Sequence, residues 1–398
     1  MRVDILERVQ RCEEGSPSWR LIEVKSSSRV KDVHLDDLSV QSHIVQGTGL
    51  RLDATCLMHI NTGYLYQGGV VHLEALFSIE DVSEAVTNRR GQVLERLAAM
   101  KTVLLKPKPP TVEPDQHCHT PYECPFWSHC TKEKPSRWIY HLPGKKEIVS
   151  HLVRLGITTI DDIPDGTRLS DAQQRVRDNI EWISSDLGKV LRAVTYPVHH
   201  LDIETVMLAL PRFPLTRPYQ PIPVQWSNHI ELESGELSHQ EFLHNEASEP
   251  RKQWAQALIE SLGEKGSIVV YSAYEEAIIR QLADTFPEFK SAFKSILKRL
   301  WDLLPVIREH YYHPDFNGSY SIKSVLPAVV PSLGYDDLAI QAGGQAAAEY
   351  YRMVFVETDW VEQAALRESL LRSCARDTLA MVELRRVLAK KAIDVGLV

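Results

Sequence analysis

The stretch Leu201-Asp202-Ile203-Glu204-Thr205 sets two acids at i and i+2 inside an apolar run. In a β-strand, alternate side chains point to opposite faces, so Asp202 and Glu204 share one face. Two like charges side by side on a sheet must either stay in water or be compensated. A divalent cation between them turns the repulsion into coordination. A solvated strand face is the commoner cause of such a pattern, so the pair needs support from elsewhere in the chain. The preceding Val194-Thr195-Tyr196-Pro197-Val198-His199-His200 reads as the lead-in to a central strand, with Pro197 near its start.

At 398 residues, two or three domains are expected. No apolar run approaches membrane-spanning length, and the start Met1-Arg2-Val3-Asp4-Ile5-Leu6-Glu7 is no signal peptide, so no membrane association is expected. Three of the six cysteines are clustered, which favours a reducing cytoplasmic setting with a metal site over a disulfide framework. The formal net charge is −8, so any nucleic acid must be held by local basic patches. Two such patches stand out: Lys290, Lys294 and Lys298 on one helix face, and Lys132, Lys134, Arg137, Lys145 and Lys146 after the cysteines.

The first hundred residues hold apolar runs at Leu21–Val24, Thr55–Ile60 and Val70–Phe77, then a helix-like segment from Ile79 to Leu104. Lys106-Pro107-Lys108-Pro109-Pro110 breaks the pattern as a stiff linker. Residues 145–190 look helical. From Tyr196 onward strands alternate with helices, which argues a mixed α/β domain, and Trp360 to Ala392 reads as one long amphipathic helix, either continuous or broken once.

Three acidic groupings lie in this second half. After Asp202/Glu204 comes Ser267–Tyr271, an apolar strand running into a helix that starts near Ser272, with Glu275 in its first turn, where a helix N-terminus favours negative charge. The third is Ser373-Cys374-Ala375-Arg376-Asp377-Thr378 within the last helix. Singly, Glu275 reads as a first-turn stabiliser and Asp377 as an exposed helix residue. Their order and spacing together resemble the DnaQ-like 3′–5′ exonucleases, which have an RNase H-like fold and hold two metal ions on four carboxylates. The resemblance implies Asp202, Glu204, Glu275 and Asp377 as ligands of Mg²⁺ or Mn²⁺. One ion would help to generate the attacking hydroxide and the other would stabilise the leaving 3′ oxygen. Asp302 is either a further, supporting acid or a strand-end residue. Two positions depart from the family pattern: Glu275 stands where aspartate is usual, and Ser373 stands where a tyrosine or histidine usually orients the water. The second departure bears on rate more than on fold.

The segment Tyr311-Tyr312-His313-Pro314-Asp315-Phe316-Asn317-Gly318-Ser319-Tyr320-Ser321-Ile322-Lys323 offers aromatic faces for unpaired bases, and Ser319 or Ser321 could cap a helix facing a phosphate. A rigid, aromatic-packed loop explains it at least as well. Its end, Gly318 to Lys323 followed by Val325-Leu326-Pro327, resembles an uncharacterised bacterial family in which a RecB-like PD-(D/E)XK nuclease module precedes a DnaQ-like domain. The match runs through nearly the whole chain. At the N-terminus, Arg2–Leu6 and Trp19–Lys25 read as strands, with Glu23 and Lys25 sharing a face. Asp4 and Glu23 can hold a metal, and Lys25 can orient water or stabilise charge at a phosphate. Gln41 resembles the helical glutamine of RecB-like members, although Val45 stands where a tyrosine is often seen.

Cys118, Cys124 and Cys130 suit an iron–sulfur cluster or a zinc site. The resemblance to CRISPR-associated RecB-like nucleases implies a 4Fe–4S cluster with three late cysteines and one early one. The early cysteine has no counterpart: Cys12 is misplaced. His117, His119 or His129 therefore substitutes, or the site is incomplete. The start so close to Asp4 carries the expectation that the nuclease module is truncated.

The expected organisation is thus a partial PD-(D/E)XK module (1–107), a cysteine cluster (108–140), a helical connector (141–190) and a DnaQ-like, RNase H-like α/β domain (191–398). The expected function is a metal-dependent nuclease on DNA or RNA, single strands included, with the C-terminal domain active from a 3′ end. The alternative is a nucleic-acid-binding or assembly protein that keeps degenerate nuclease folds without turnover; a purely structural zinc protein is a third reading.

Overall fold

The computed structural model describes residues 2–9, 17–144, 146–341 and 343–394, except the side chains of Gln116 and Lys146. The chain forms two compact units, and each is described by itself: Met1–Lys134 with Leu208–Gln220, and Pro135–Met207 with Pro221–Val398. No helix among the described residues is long and apolar enough to cross a membrane.

The first unit is a four-stranded sheet in the order β1-β2-β3-β4. Its elements are β1 (Ile5–Val9), β2 (Ser18–Lys25), α1 (Asp32–Gly47), β3 (Arg51–Ile60), the single turn α2 (Leu73–Leu76), β4 (Phe77–Asp81), α3 (Ser83–Leu104) and the short α4 (Trp127–Thr131). The two central strands are parallel and the outer two antiparallel to them. Parallel neighbours need a crossover, and α1 supplies it between β2 and β3. Leu21 and Leu57 from the sheet meet Leu35, Leu38 and Val86 from the helices in one apolar cluster. The run Val70–Phe77 is no buried strand: Val70 and Leu73 lie exposed, and only Leu76 is fully covered. Its apolar residues lack the period that would place them on one side of a sheet.

The second unit opens with α5 (Lys146–Arg154), α6 (Asp171–Asp178), β5 (Trp182–Ile183) and α7 (Leu187–Leu191). Its main sheet comprises β6 (Val198–Val206), β7 (Ile222–Glu231) and β8 (Leu237–Leu243). After α8 (Arg251–Leu262) it continues with β9 (Ile268–Val270), α9 (Tyr274–Thr285), α10 (Lys290–Arg299) and β10 (Leu300–Asp302). The chain ends with α11 (Leu303–His310), β11 (Tyr311–Tyr312), α12 (Ile322–Val329), α13 (Gly343–Phe355) and α14 (Trp360–Asp394). The sheet order is β10-β9-β6-β7-β8, an antiparallel meander β6-β7-β8 extended by two parallel strands. Gly266, at φ +82°, lets β9 lie beside β6, because a Cβ there would collide with the Pro197 carbonyl.

The faces of β6 are sorted by its two-residue period. Leu201 and Ile203 enter the main core with Trp226, Trp254, Leu258, Ile268, Ile279 and Phe293. Burying each such side chain stabilises the fold by roughly 1.5–3 kcal/mol. The opposite face, carrying His200, Asp202 and Glu204, is roofed by α14. Gln225 Nε2 donates to the Leu370 carbonyl at 2.9 Å, and the hydroxyls of Ser227 and Thr378 meet at 2.8 Å. The α14 helix is continuous rather than broken, because its buried residues, including Leu370, Cys374, Met381, Leu384 and Leu388, keep helical spacing against the sheet throughout.

Candidate functional site

The pair Asp202/Glu204 lies on a half-buried face. Asp202 lies directly under α14, where the Cys374 thiol donates to its Oδ2 at 3.1 Å. Glu275 comes from the first turn of α9 and is buried, with Ser272 Oγ donating to its Oε2 at 3.2 Å. Asp377 projects from α14 one turn after Ser373, and Tyr335 OH donates to its Oδ1 at 2.6 Å. Three elements thus bring four carboxylates to one place.

Their electrostatics follow from the convergence. Burial, then the charges of Asp377, Glu204 and Glu275, push the Asp202 carboxyl well above the usual range. Burial and Asp377 push Glu204 up to about 7, with Lys323 opposing them. Burial, then Asp302 and Glu204, push Glu275 up to about 7 against the hydrogen bond from Ser272. Burial raises Asp377, opposed by the Tyr335 hydroxyl, Lys323 and Arg376. Asp302 ends β10 and caps α11, accepting from the Leu304 amide at 2.9 Å, and its charge is felt at Glu275.

None of the four carboxylates makes a salt bridge with a lysine or arginine among the described residues. A half-buried set of hard oxygens without a salt-bridge partner among the described residues has the chemistry that Mg²⁺ and Mn²⁺ select. As the side chains stand, however, no three His, Cys, Asp or Glu groups among the described residues are gathered closely enough to hold a metal ion. Binding one would have to draw the carboxylates together.

The hydroxyl that meets Asp377 belongs to Tyr335 and not to Ser373. Ser373 does not face the cluster: its buried hydroxyl donates to the Ile340 carbonyl at 3.1 Å. Tyr335 and Lys323, absent from the sequence-based set, come from the segments before α13 and within α12. Nothing in local spacing marks them, because each reaches the cluster only through the fold.

The residues beyond the cluster on the same sheet face are neutral imidazoles. Arg385 can only donate, so His200 Nε2, 3.1 Å from its Nη1, must be the acceptor and Nδ1 carries the proton toward the His229 carbonyl. Burial and Arg385 hold His200 well below its ordinary pKa. Glu231 binds Arg385 at 3.0 Å and Arg386 at 2.8 Å, tying α14 to β7.

The aromatic segment does not offer bases a stacking surface. Tyr311, Tyr312 and Phe316 are fully buried and pack edge to face, and Tyr311 OH donates to Glu181 at 2.6 Å. Ser321 precedes α12 but makes no side-chain cap. Lys290, Lys294 and Lys298 do share the exposed side of α10, opposite the buried Phe293 and Ile296. Lys134 and Arg137 are engaged with Glu113 and Asp161, and Lys145 and Cys12 lie outside the described residues.

In the first unit, Lys25 Nζ is held between Glu23 Oε1 and Asp37 Oδ2, each at 2.6 Å. Burial works against the ammonium, but the Asp37 and Glu23 contacts outweigh it and raise the Lys25 pKa. Gln41 reaches this group only through Asp37, at 3.3 Å. Asp4 lies just before β1 rather than within a strand, and its Oδ2 accepts from the Val24 amide at 2.9 Å. Glu23 Oε2 and Gln41 Oε1 are buried without a partner. Asp37 is the member that the motif reading missed; its i, i+4 relation to Gln41 on α1 is the signal that could have found it.

Cys118 is buried, Cys124 partly covered and Cys130 exposed, and all three are free thiols. The Cys124 amide donates to the Cys118 carbonyl at 2.7 Å, so a tight turn brings these two together, while Cys130 sits on α4.

A family described as Domain of unknown function (DUF2779) matches residues 199–321. The matched span contains Asp202, Glu204 and Glu275 and stops before Lys323, Tyr335 and Asp377. No curated protein and no solved structure matches the chain.

Proposed function

We propose that the second unit is a metal-dependent nuclease that hydrolyses phosphodiester bonds of DNA or RNA from a 3′ end. The observation that carries this reading is the convergence of Asp202, Glu204, Glu275 and Asp377 from β6, α9 and α14 into one half-buried cluster with no salt-bridge partner among the described residues. The sheet order, a three-stranded meander with two parallel strands added beside β6, supports an RNase H-like reading of this unit. The mixed sheet and the Glu23–Lys25–Gln41 grouping of the first unit support a PD-(D/E)XK-like reading there.

Bound Mg²⁺ or Mn²⁺ would supply the Lewis acidity that activates water and stabilises charge on the departing oxygen. Asp202, Glu204, Glu275 and Asp377 would hold it. The roof of α14 covers part of the Asp202 end of the cluster, which strengthens the charge interactions there. Tyr335 fixes the orientation of Asp377 by donating to one of its oxygens and leaves the other free. Ser272 likewise donates to one oxygen of Glu275.

The second reading, a nucleic-acid-binding protein without turnover, is favoured by one observation: the carboxylates are not drawn together as they stand. The test is purified full-length chain with Mg²⁺ or Mn²⁺ and end-labelled single and double strands. Release of nucleotides that Asp202→Asn abolishes supports the nuclease. Binding that persists in EDTA, with no cleavage under either metal, supports the second reading. For the cysteine segment, an iron–sulfur cluster or zinc remains the proposal, and metal analysis of anaerobically purified protein decides between them.

A further inference from the structure

An acidic cluster in a chain of net charge −8 repels the phosphate it is proposed to cleave. Two cations have fields that reach Asp377, namely Lys323 and Arg376. Arg376 is consumed: its guanidinium grips Asp337 with two bonds of 2.9 Å and donates to the Gly334 carbonyl. Lys323 is exposed and makes no ion pair among the described residues.

Two separate contacts hold the Lys323 ammonium at the cluster. It lies 5.4 Å from the centre of the Tyr335 ring, whose hydroxyl is bonded to Asp377. It also donates to the carbonyl of Gln341, two residues before Gly343, and a Cβ built at Gly343 would stand 3.6 Å from Glu204 Oε2. The ammonium is therefore bracketed between the surroundings of Asp377 and of Glu204. It has three donors, and one is spent on Gln341.

We propose that Lys323 is the phosphate anchor of this site, its ammonium taking a non-bridging oxygen of a single-stranded nucleic-acid backbone at the mouth of the carboxylate cluster. The placement rests on the nuclease reading, but the contact itself is one of binding and can be measured without turnover. The ring of Tyr335 and the Gln341 carbonyl limit the freedom of the lysine stem, so less of its entropy is lost when phosphate arrives.

The experiment is fluorescence anisotropy of end-labelled single-stranded DNA and RNA of one sequence, with the full chain in EDTA, over roughly 50–200 mM salt. Lys323→Met is expected to weaken binding about fivefold to tenfold and to reduce the slope of log affinity against log salt by about 0.7, the value of one phosphate contact on a single strand. Lys323→Arg is expected to keep both, and Lys390→Met, exposed near the far end of α14 and outside both basic patches, to change neither. A thermal melt checks that Lys323→Met folds. The anchor is overturned if Lys323→Met binds with wild-type affinity and slope, if Lys390→Met shows an equal loss, or if wild type binds neither strand. Binding that shows the Lys323 effect while no metal supports cleavage would sink the nuclease reading and leave the anchor standing.

Discussion

The hydroxyl of Tyr335 donates to Asp377 Oδ1 at 2.6 Å, while Ser373, one helical turn before Asp377, gives its own hydroxyl to the Ile340 carbonyl. A tyrosine distant in sequence therefore stands against the last acid of the cluster, and the nearby serine is a packing residue.

The two hydroxyls should separate in kinetics. Tyr335→Phe removes one bond to Asp377 and leaves the ring in place. It is expected to lower kcat by about tenfold or more, in the range typical of groups that orient metal ligands, with KM little changed. Ser373→Ala should leave kcat within about twofold of wild type and cost roughly 1 kcal/mol of stability. Steady-state cleavage of end-labelled strands and thermal melts check both.

The cluster should make the metal-free protein less stable as pH rises. Glu204 and Glu275 are pushed up to about 7 from an ordinary value near 4.5, so the folded state holds protons that the unfolded state has released. Their contribution is present below the unfolded value and is lost as pH climbs through 7. Glu204→Gln should therefore melt higher than wild type at pH 8 in EDTA, with the gap closing toward pH 4.5. Equal melting temperatures at pH 8 would contradict the repulsion argued here.

Buried imidazoles act with the opposite sign. Burial and the Arg299 charge hold His199 at about 4, and burial and His239 hold His229 at about 4. Both stay neutral when folded, so they cost stability as pH falls from the unfolded value near 6.5 toward 4. His229→Asn should flatten the acid limb of the melting curve without moving the alkaline limb.

Mn²⁺ should raise the melting temperature more at pH 8 than at pH 5.5, because bound cation must displace protons from the raised carboxylates. Asp202→Asn should abolish most of this shift and lower cleavage by more than about 100-fold, given that even partners of ligands are worth 10–100-fold. A Mn²⁺ shift that is the same in Asp202→Asn would place the ion elsewhere.

In the first unit, Lys25 is the internal countercharge of Glu23 and Asp37. Lys25→Met should destabilise the protein by about 1 kcal/mol, less than a fully buried pair would lose, because Lys25 and Asp37 are partly exposed. Denaturant melts of Lys25→Met against Lys25→Met/Asp37→Asn would show the loss largely restored in the double variant.

Much of the local order was legible in the residues themselves. The two-residue period of Leu201–Glu204 placed both acids on one face of a strand, and apolar spacing marked α14 and the strand before Glu275. Glu23 and Lys25 share a face for the same reason. These are short-range consequences of backbone geometry, so they can be read without knowing what packs above them. Other readings stayed open until burial decided them. Tyr311, Tyr312 and Phe316 allow either a stacking surface or a packed loop in sequence, and in the fold each other's rings and Glu181 cover them. Which residues meet Asp202 and Asp377 was settled only by tertiary structure. Cys374, Tyr335 and Lys323 lie more than a hundred residues from Asp202, and their approach depends on how α12, α13 and α14 pack over β6 and β7. The chain alone determined that Asp202 and Glu204 point the same way. The roof over them half-buried that face, raised their carboxyls, and turned a strand pattern into a candidate site, because desolvation is a property of what surrounds a charge and not of the residue that bears it.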